Sequence, residues 1–136
     1  MTTDCVVDAS ALVIALVGRS GEADALRAQL PSLRLHAPHL IDAEVAHALR
    51  GLALGGKITP GDGSRRLSAW RGLDIVRIPM AGLFPRVWEL RANLTAYDAF
   101  FVAAAEALAA PLLTGDRRLA AAPGIGCPIE LIPGDR

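Results

Sequence analysis

The sequence predicts an α/β protein built on a parallel sheet with helices on both faces. Three observations carry that expectation. Short apolar or β-branched runs alternate with helix-period segments along the whole chain, which calls for crossover connections between parallel strands. The 136 residues are 52% hydrophobic, enough for a core and consistent with one domain spanning 1–136. Asp8 and Asp116 each follow an apolar run, at the point where a buried strand hands over to a helix.

Taken in order, Cys5 to Asp8 reads as the first strand and Ser10 to Val17 as a short helix. Gly18 to Gly21 is turn material, and Glu22 to Leu30 a second helix. Leu33 to Ala37 is the second strand. Pro38 opens a helix to about Leu54, stopped by Gly55-Gly56. Thr59-Pro60 has the cap-then-proline order of a helix start, and that helix runs to about Arg71. Asp74 to Ile78 reads as the third strand, followed by helices from Ala81 to Arg91 and from Ala96 to Ala109. Pro111 to Thr114 is the fourth strand, Arg117 to Ala122 a short helix, and Ile129 to Ile132 the fifth strand.

Composition removes several classes of function. Fourteen basic residues balance fourteen acidic ones, so net charge neither supports nor excludes a nucleic-acid substrate. Lys57 is the only lysine; an arginine-rich chain suits bidentate phosphate contacts, and GC-rich codon usage gives the same bias. Aromatics are 4% of the chain, so stacking platforms for single strands are scarce. Cys5 and Cys127 form no Cys-x-x-Cys pair and read as reduced thiols of a cytoplasmic protein. Asp8 interrupts the first apolar run, which argues against a signal peptide, and no uncharged stretch is long enough to span a membrane. His36, His39 and His47 lack zinc spacing. Neither a Gly-x-Ser-x-Gly elbow nor a Gly-x-x-x-x-Gly-Lys loop is present.

Four acids stand out. Asp8 suits both an N-cap and a metal ligand. Glu44 sits on the shoulder of the helical stripe Leu40, Ile41, Val45, Ala48, Leu49 and Leu52, so it is drawn partly inward, where a carboxylate needs a cation or donors. Asp42, on the opposite shoulder, competes for that role. Asp98 falls third after Thr95, the spacing of a capping box. Asp116 reads equally as a cap and as a ligand, and Thr114 offers a hydroxyl to a metal-bound water. Carboxylates gathered at the carboxyl ends of strands repel one another unless a cation joins them, and hard cations such as Mg²⁺ take oxygen ligands and hold phosphates. The pattern points to metal-dependent phosphodiester chemistry.

The chain resembles the PIN-domain ribonucleases, and among them the VapC-like toxins of toxin–antitoxin pairs. The likeness lies in Val-Val-Asp-Ala-Ser-Ala-Leu near the start, Pro38 through Glu44-Val45 with Ala48-Leu49-Arg50, Leu94-Thr95-Ala96-Tyr97-Asp98-Ala99-Phe100 continuing to Ala105-Glu106, and Leu113-Thr114-Gly115-Asp116-Arg117-Arg118-Leu119. It implies a PIN-like fold with strand order 3-2-1-4-5. It also implies an acidic quartet of Asp8, Glu44, Asp98 and Asp116, with Ser10 and Thr114 beside it and Asp8, Asp98 and Asp116 as metal ligands. Mg²⁺ or Mn²⁺ as cofactor, cleavage of RNA (tRNA, rRNA or mRNA) to 5′-phosphate and 3′-hydroxyl ends, a homodimer, and inhibition by a cognate antitoxin protein follow from the same resemblance. Arg117 and Arg118 are candidates for RNA phosphates, and Arg65, Arg66 and Arg71 for a second basic strip. The Ala103 to Ala110 run suits either a dimer face or close packing inside the chain. Two alternatives stay open: a non-catalytic PIN-like module that binds protein or RNA, and a phosphotransfer domain. The latter is weakened because Lys57 does not follow a late strand and Asp8-Ala-Ser lacks a second Asp.

Overall fold

The computed structural model describes residues 2–134. Strands β1 (Thr3–Val7), β2 (Leu33–Pro38), β3 (Val76–Ile78), β4 (Leu112–Thr114) and β5 (Ile129–Leu131) form one sheet in the order β3-β2-β1-β4-β5. Every neighbouring pair is parallel, so the α/β class and the strand order are as expected. Around the sheet lie α1 (Ala9–Val17), α2 (Gly21–Gln29), α3 (Ile41–Leu54), α4 (Pro60–Arg71), α5 (Phe84–Glu89), α6 (Ala96–Leu108) and α7 (Arg117–Ala120).

The central strand β1 and its neighbour β4 carry apolar runs because both their faces are covered. Cys5, Val6 and Val7 of β1 and Leu112, Leu113 and Thr114 of β4 are all at most 1% exposed. From β1 the chain steps outward to β2 and β3, then returns to place β4 on the other side of β1. The strand order therefore reverses between β1 and β4, which leaves a crevice outside their carboxyl ends. Helix α6 packs across β1, β2 and β4. Its small residues Ala99, Ala103, Ala104 and Ala105 are buried, letting the helix axis approach the sheet. The alanine run thus packs inside the chain at least as far as Ala105, and enlarging Ala104 would overpack that contact by about 1–3 kcal/mol.

Several boundaries differ from the sequence reading, each for a local reason. Pro38 ends β2 rather than opening a helix: it pairs with Ile78 of β3, and the His39 N–H donates to the Ile78 carbonyl, while a residue preceding proline is held extended. The helix expected over Ala81 to Arg91 is split into a 3₁₀ turn, Ala81–Leu83, and α5, because Pro85 has no N–H to donate and its ring crowds the preceding turn. Helix α6 ends one residue early. Ala109 adopts a left-handed conformation with φ 50°, and the Ala110 N–H returns to the Ala105 carbonyl at 3.0 Å, a Schellman-type closure normally made by glycine. Thr59 caps α4 as expected, accepting the Asp62 N–H at 3.0 Å ahead of Pro60.

Candidate active site

Topology alone carries all four acids to one edge of the sheet. Asp8 follows β1 and Asp116 follows β4, adjacent parallel strands, so both lie at the carboxyl end. Helix α3 leaves the carboxyl end of β2, with Glu44 in its first turn. Helix α6 leads into β4 and runs against the strand direction, which brings its N-terminus and Asp98 back to the same edge.

Asp8 is the most constrained of the four. It is 7% exposed and caps α1 by accepting the Ala11 N–H on Oδ1 at 3.0 Å. The Ser10 hydroxyl donates to the same oxygen at 2.6 Å, and the Thr114 hydroxyl donates to Oδ2. Each hydroxyl in turn accepts a backbone N–H: Ser10 from Gly115 at 2.7 Å and Thr114 from Asp116 at 3.0 Å. Both hydroxyl protons are directed at Asp8, so the 3.2 Å approach of Ser10 Oγ to Thr114 Oγ1 carries no proton of its own. This corrects the expectation that Thr114 faces a metal-bound water: the residue is fully buried and orients Asp8 instead. The capping and clustering readings of Asp8 describe the same side chain.

Glu44 is the anomaly in the structure. Ile41, Val45 and Leu49 on its helix are buried, and they draw the neighbouring Glu44 inward. Its Oε1 is buried and has no hydrogen-bond partner among the described residues. Loss of hydration pushes its pKa up to about 7, with the charges of Asp98 and Asp8 adding to the effect. Burial also raises the pKa of Asp8, against the three hydrogen bonds it accepts and with a contribution from Asp98. Asp98 is raised by burial first and by Asp116 second, with Arg118 opposing. Asp116 caps α7, accepting the Arg118 N–H at 2.9 Å. Each of the four carboxylates thus acts on, or is acted on by, another member of the set. Among the described residues, no three His, Cys, Asp or Glu side chains already stand in metal-ligating geometry.

Asp42, the competitor of Glu44, is engaged elsewhere. It accepts a bidentate pair from Arg77 at 2.7 and 2.8 Å and the indole N–H of Trp70 at 2.9 Å. The Arg77 hydrogen bonds hold its pKa below the usual range. Asp42 ties α3 to α4 and β3. Sequence reasoning placed it on the other shoulder of the stripe, and only the long-range partners show what it does there.

The PIN-domain family model matches residues 5–125. The chain belongs to the PIN-domain family. Within it, the chain falls with the VapC ribonucleases: it is 48% identical over 128 residues to the VapC ribonuclease Mb0985 of Mycobacterium bovis, covering 94% of this chain and 98% of that one. Among solved structures it resembles PAE2754 from Pyrobaculum aerophilum, with a TM-score of 0.67, 28% identity and coverage of 89% and 86%. It also shares the fold of a chain in the VapBC2 structure from Rickettsia felis, bound to a fragment of promoter DNA, with a TM-score of 0.66, 15% identity and coverage of 94% and 98%.

In this PIN domain Arg117 and Arg118 are exposed on the first turn of α7, immediately after Asp116. Of the second basic strip, Arg65 is held by Asp62 at 2.7 Å. Arg66 lines a groove of about 540 Å³ between α1, α3 and α4, whose floor is Val13, Ile14, Val17, Leu52 and Ile58. Both cysteines are free, and Cys5 is buried. No helix among the described residues is long and apolar enough to cross a membrane.

Proposed function

We propose that this protein is a divalent-metal-dependent endoribonuclease acting as the toxin of a toxin–antitoxin pair, with Asp8, Glu44, Asp98 and Asp116 as its catalytic acids. The observation that carries the reading is the buried Oε1 of Glu44, which has no hydrogen-bond partner among the described residues and feels the charges of Asp98 and Asp8 at their shared edge of the sheet. A buried carboxylate oxygen without a donor is stable only when protonated or when it meets a cation. The donor set is all oxygen, which fits Mg²⁺ or Mn²⁺ and not zinc. Mg²⁺ usually keeps several waters and takes one or two carboxylates plus substrate phosphates.

Asp8, Asp98 and Asp116 would hold the ion, with Glu44 completing the shell or orienting the attacking water. When bound, the ion supplies an acidified water and neutralises charge developing on the phosphoryl oxygens. The chain's own contribution is positional. Ser10 and Thr114 direct both their protons at Asp8, so that carboxylate meets substrate already oriented. Burial and the charges of Asp98 and Asp8 push the Glu44 pKa up to about 7, and a cation held beside it would favour the ionised carboxylate. Arg118, whose charge is felt at Asp98, and Arg117 would receive RNA phosphates.

The VapC relatives support the ribonuclease reading, and the VapBC neighbour supports an antitoxin partner. Such a partner would place a basic side chain among the four acids. The apolar groove adjoins that edge through Ile14, which packs against Gly115. The test is incubation of the antitoxin-free protein with total RNA under Mg²⁺, EDTA and Mn²⁺, beside Asp8→Ala. Discrete cleavage that needs both metal and Asp8, with ends mapped as 5′-phosphate, is the expected result. Metal-independent binding without cleavage would move the protein to the binding-module reading.

A further inference from the structure

Aromatic residues are few in this chain, and half of them face solvent on one seam. Of two Trp, one Tyr and three Phe, Trp70, Phe100 and Phe101 are buried, whereas Phe84, Trp88 and Tyr97 are 57%, 68% and 63% exposed. Phe84 and Trp88 lie one turn apart on α5. Phe84 meets Phe100 edge-on, with ring centroids 6.0 Å apart, and Phe100 lies one turn beyond Tyr97 on α6. The three exposed rings therefore flank the α5–α6 seam, and that seam ends at Asp98, the residue after Tyr97. The Arg91 guanidinium sits 4.8 Å from the Trp88 ring centroid, anchored by a 2.9 Å bond to the Trp88 carbonyl. Arg91 has no carboxylate partner among the described residues, unlike neighbouring Arg86, which is bound by Glu106.

Rings that stay in water beside a nucleic-acid site are stacking surfaces for bases, each worth about 1–3 kcal/mol. Three rings exposed to this degree offer on the order of 400 Å². That is about half the ~800 Å² per partner of a stable protein interface and suits two or three bases. An uncompensated cation over the largest ring favours an anionic strand over an apolar protein face. We infer that Phe84, Trp88, Tyr97 and Arg91 form a stacking platform for unpaired nucleobases of an RNA strand whose backbone runs on to the acidic site. This rests on the ribonuclease reading and adds to it the residues that would grip the strand beside the scissile bond. The sparse aromatics expected from composition are concentrated where they act.

Trp88 supplies the readout, because Trp70 is buried. The protein in EDTA, which prevents cleavage, is titrated with oligoadenylate of about eight nucleotides and with the same oligomer lacking its bases. Wild type should show tryptophan quenching with oligoadenylate and bind it more tightly than the abasic strand. Trp88→Leu should weaken oligoadenylate binding roughly five- to a hundred-fold, lose the quenching, and bind the abasic strand as wild type does. Trp88→Phe, which keeps a ring, should retain most of the affinity, so a folding defect and a stacking loss are separated. Equal binding of both oligomers by wild type overturns the platform. So does a dimer that Trp88→Leu converts to a monomer with unchanged RNA affinity, which would assign the patch to a second copy. The total-RNA assay run alongside separates the two levels: cutting with no preference for bases sinks only the platform, whereas neither cutting nor binding sinks the ribonuclease reading with it.

Discussion

Replacing Glu44 by glutamine should make the metal-free protein more stable at neutral pH, and the size of the gain follows from the structure. The Glu44 carboxyl titrates near 7 in the folded chain against an ordinary value of 4.5. At about 1.36 kcal/mol per pKa unit this gap is about 3.4 kcal/mol. The side chain keeps partial contact with solvent, which screens it and brings the expected value to about 2 kcal/mol. The proton favours the folded state, so the stabilisation is fully present below 4.5 and is lost as pH rises through 7. Glutamine, which has no proton to lose, should not show that decline. The assay is urea unfolding of both proteins at pH 5 and pH 8 in EDTA. Titrating groups that do not act on Glu44 are common to both and cancel in the difference, which leaves Glu44 with its coupling to Asp98 and Asp8. Wild type should fall relative to the variant by about 2 kcal/mol across that interval, then recover on adding Mg²⁺ at pH 8, where the variant recovers less. Parallel curves, with a difference constant within about 0.5 kcal/mol, would show that Glu44 is solvated and would remove the observation on which the proposed metal site stands.

Further tests bear on the supports of the site. Thr114→Val keeps the shape but removes the donor to Asp8 and leaves the Asp116 N–H without its acceptor; stability should drop by about 1–3 kcal/mol, with weaker Mg²⁺-induced protection in thermal melts. Asp42→Leu should cost about 1–3 kcal/mol, because the buried Trp70 indole N–H loses its acceptor, while Mg²⁺ binding measured by calorimetry stays as in wild type. A loss of metal affinity there would reinstate Asp42 as a ligand. Ala109→Gly should raise the unfolding free energy by about 1 kcal/mol, since the residue holds φ 50° and a left-handed alanine costs about 1–2 kcal/mol; an unchanged denaturation midpoint would contradict the strain. Charge reversal at Arg118 should weaken RNA binding and flatten its salt dependence by about one phosphate contact, read from affinities at several salt concentrations.

Local pattern settled much of this protein. Alternation of apolar runs with helical segments is a short-range signal, set by the periods of strand and helix, and it located every strand and the main helices. Caps such as Thr59 and Thr95 act within three residues, so they too are legible along the chain. The same holds for the positions of Asp8 and Asp116 after apolar runs: parallel topology turns that sequence position into a shared edge. The boundary errors at Pro38, Pro85 and Ala109 arose where pairing with another strand or backbone sterics overrode periodicity. What the tertiary structure alone decided is which way side chains of similar local standing turn. Asp42 and Glu44 occupy opposite shoulders of one stripe, yet Arg77, 35 residues away, claims the first, and the second keeps a buried oxygen with no hydrogen-bond partner among the described residues. Thr114 aims its proton at Asp8 across 106 residues, and Phe84, Trp88 and Tyr97 lie along one seam because α5 packs on α6. Partners this distant in sequence leave no periodic trace; they meet only when the sheet closes and brings separate segments within hydrogen-bonding and packing range.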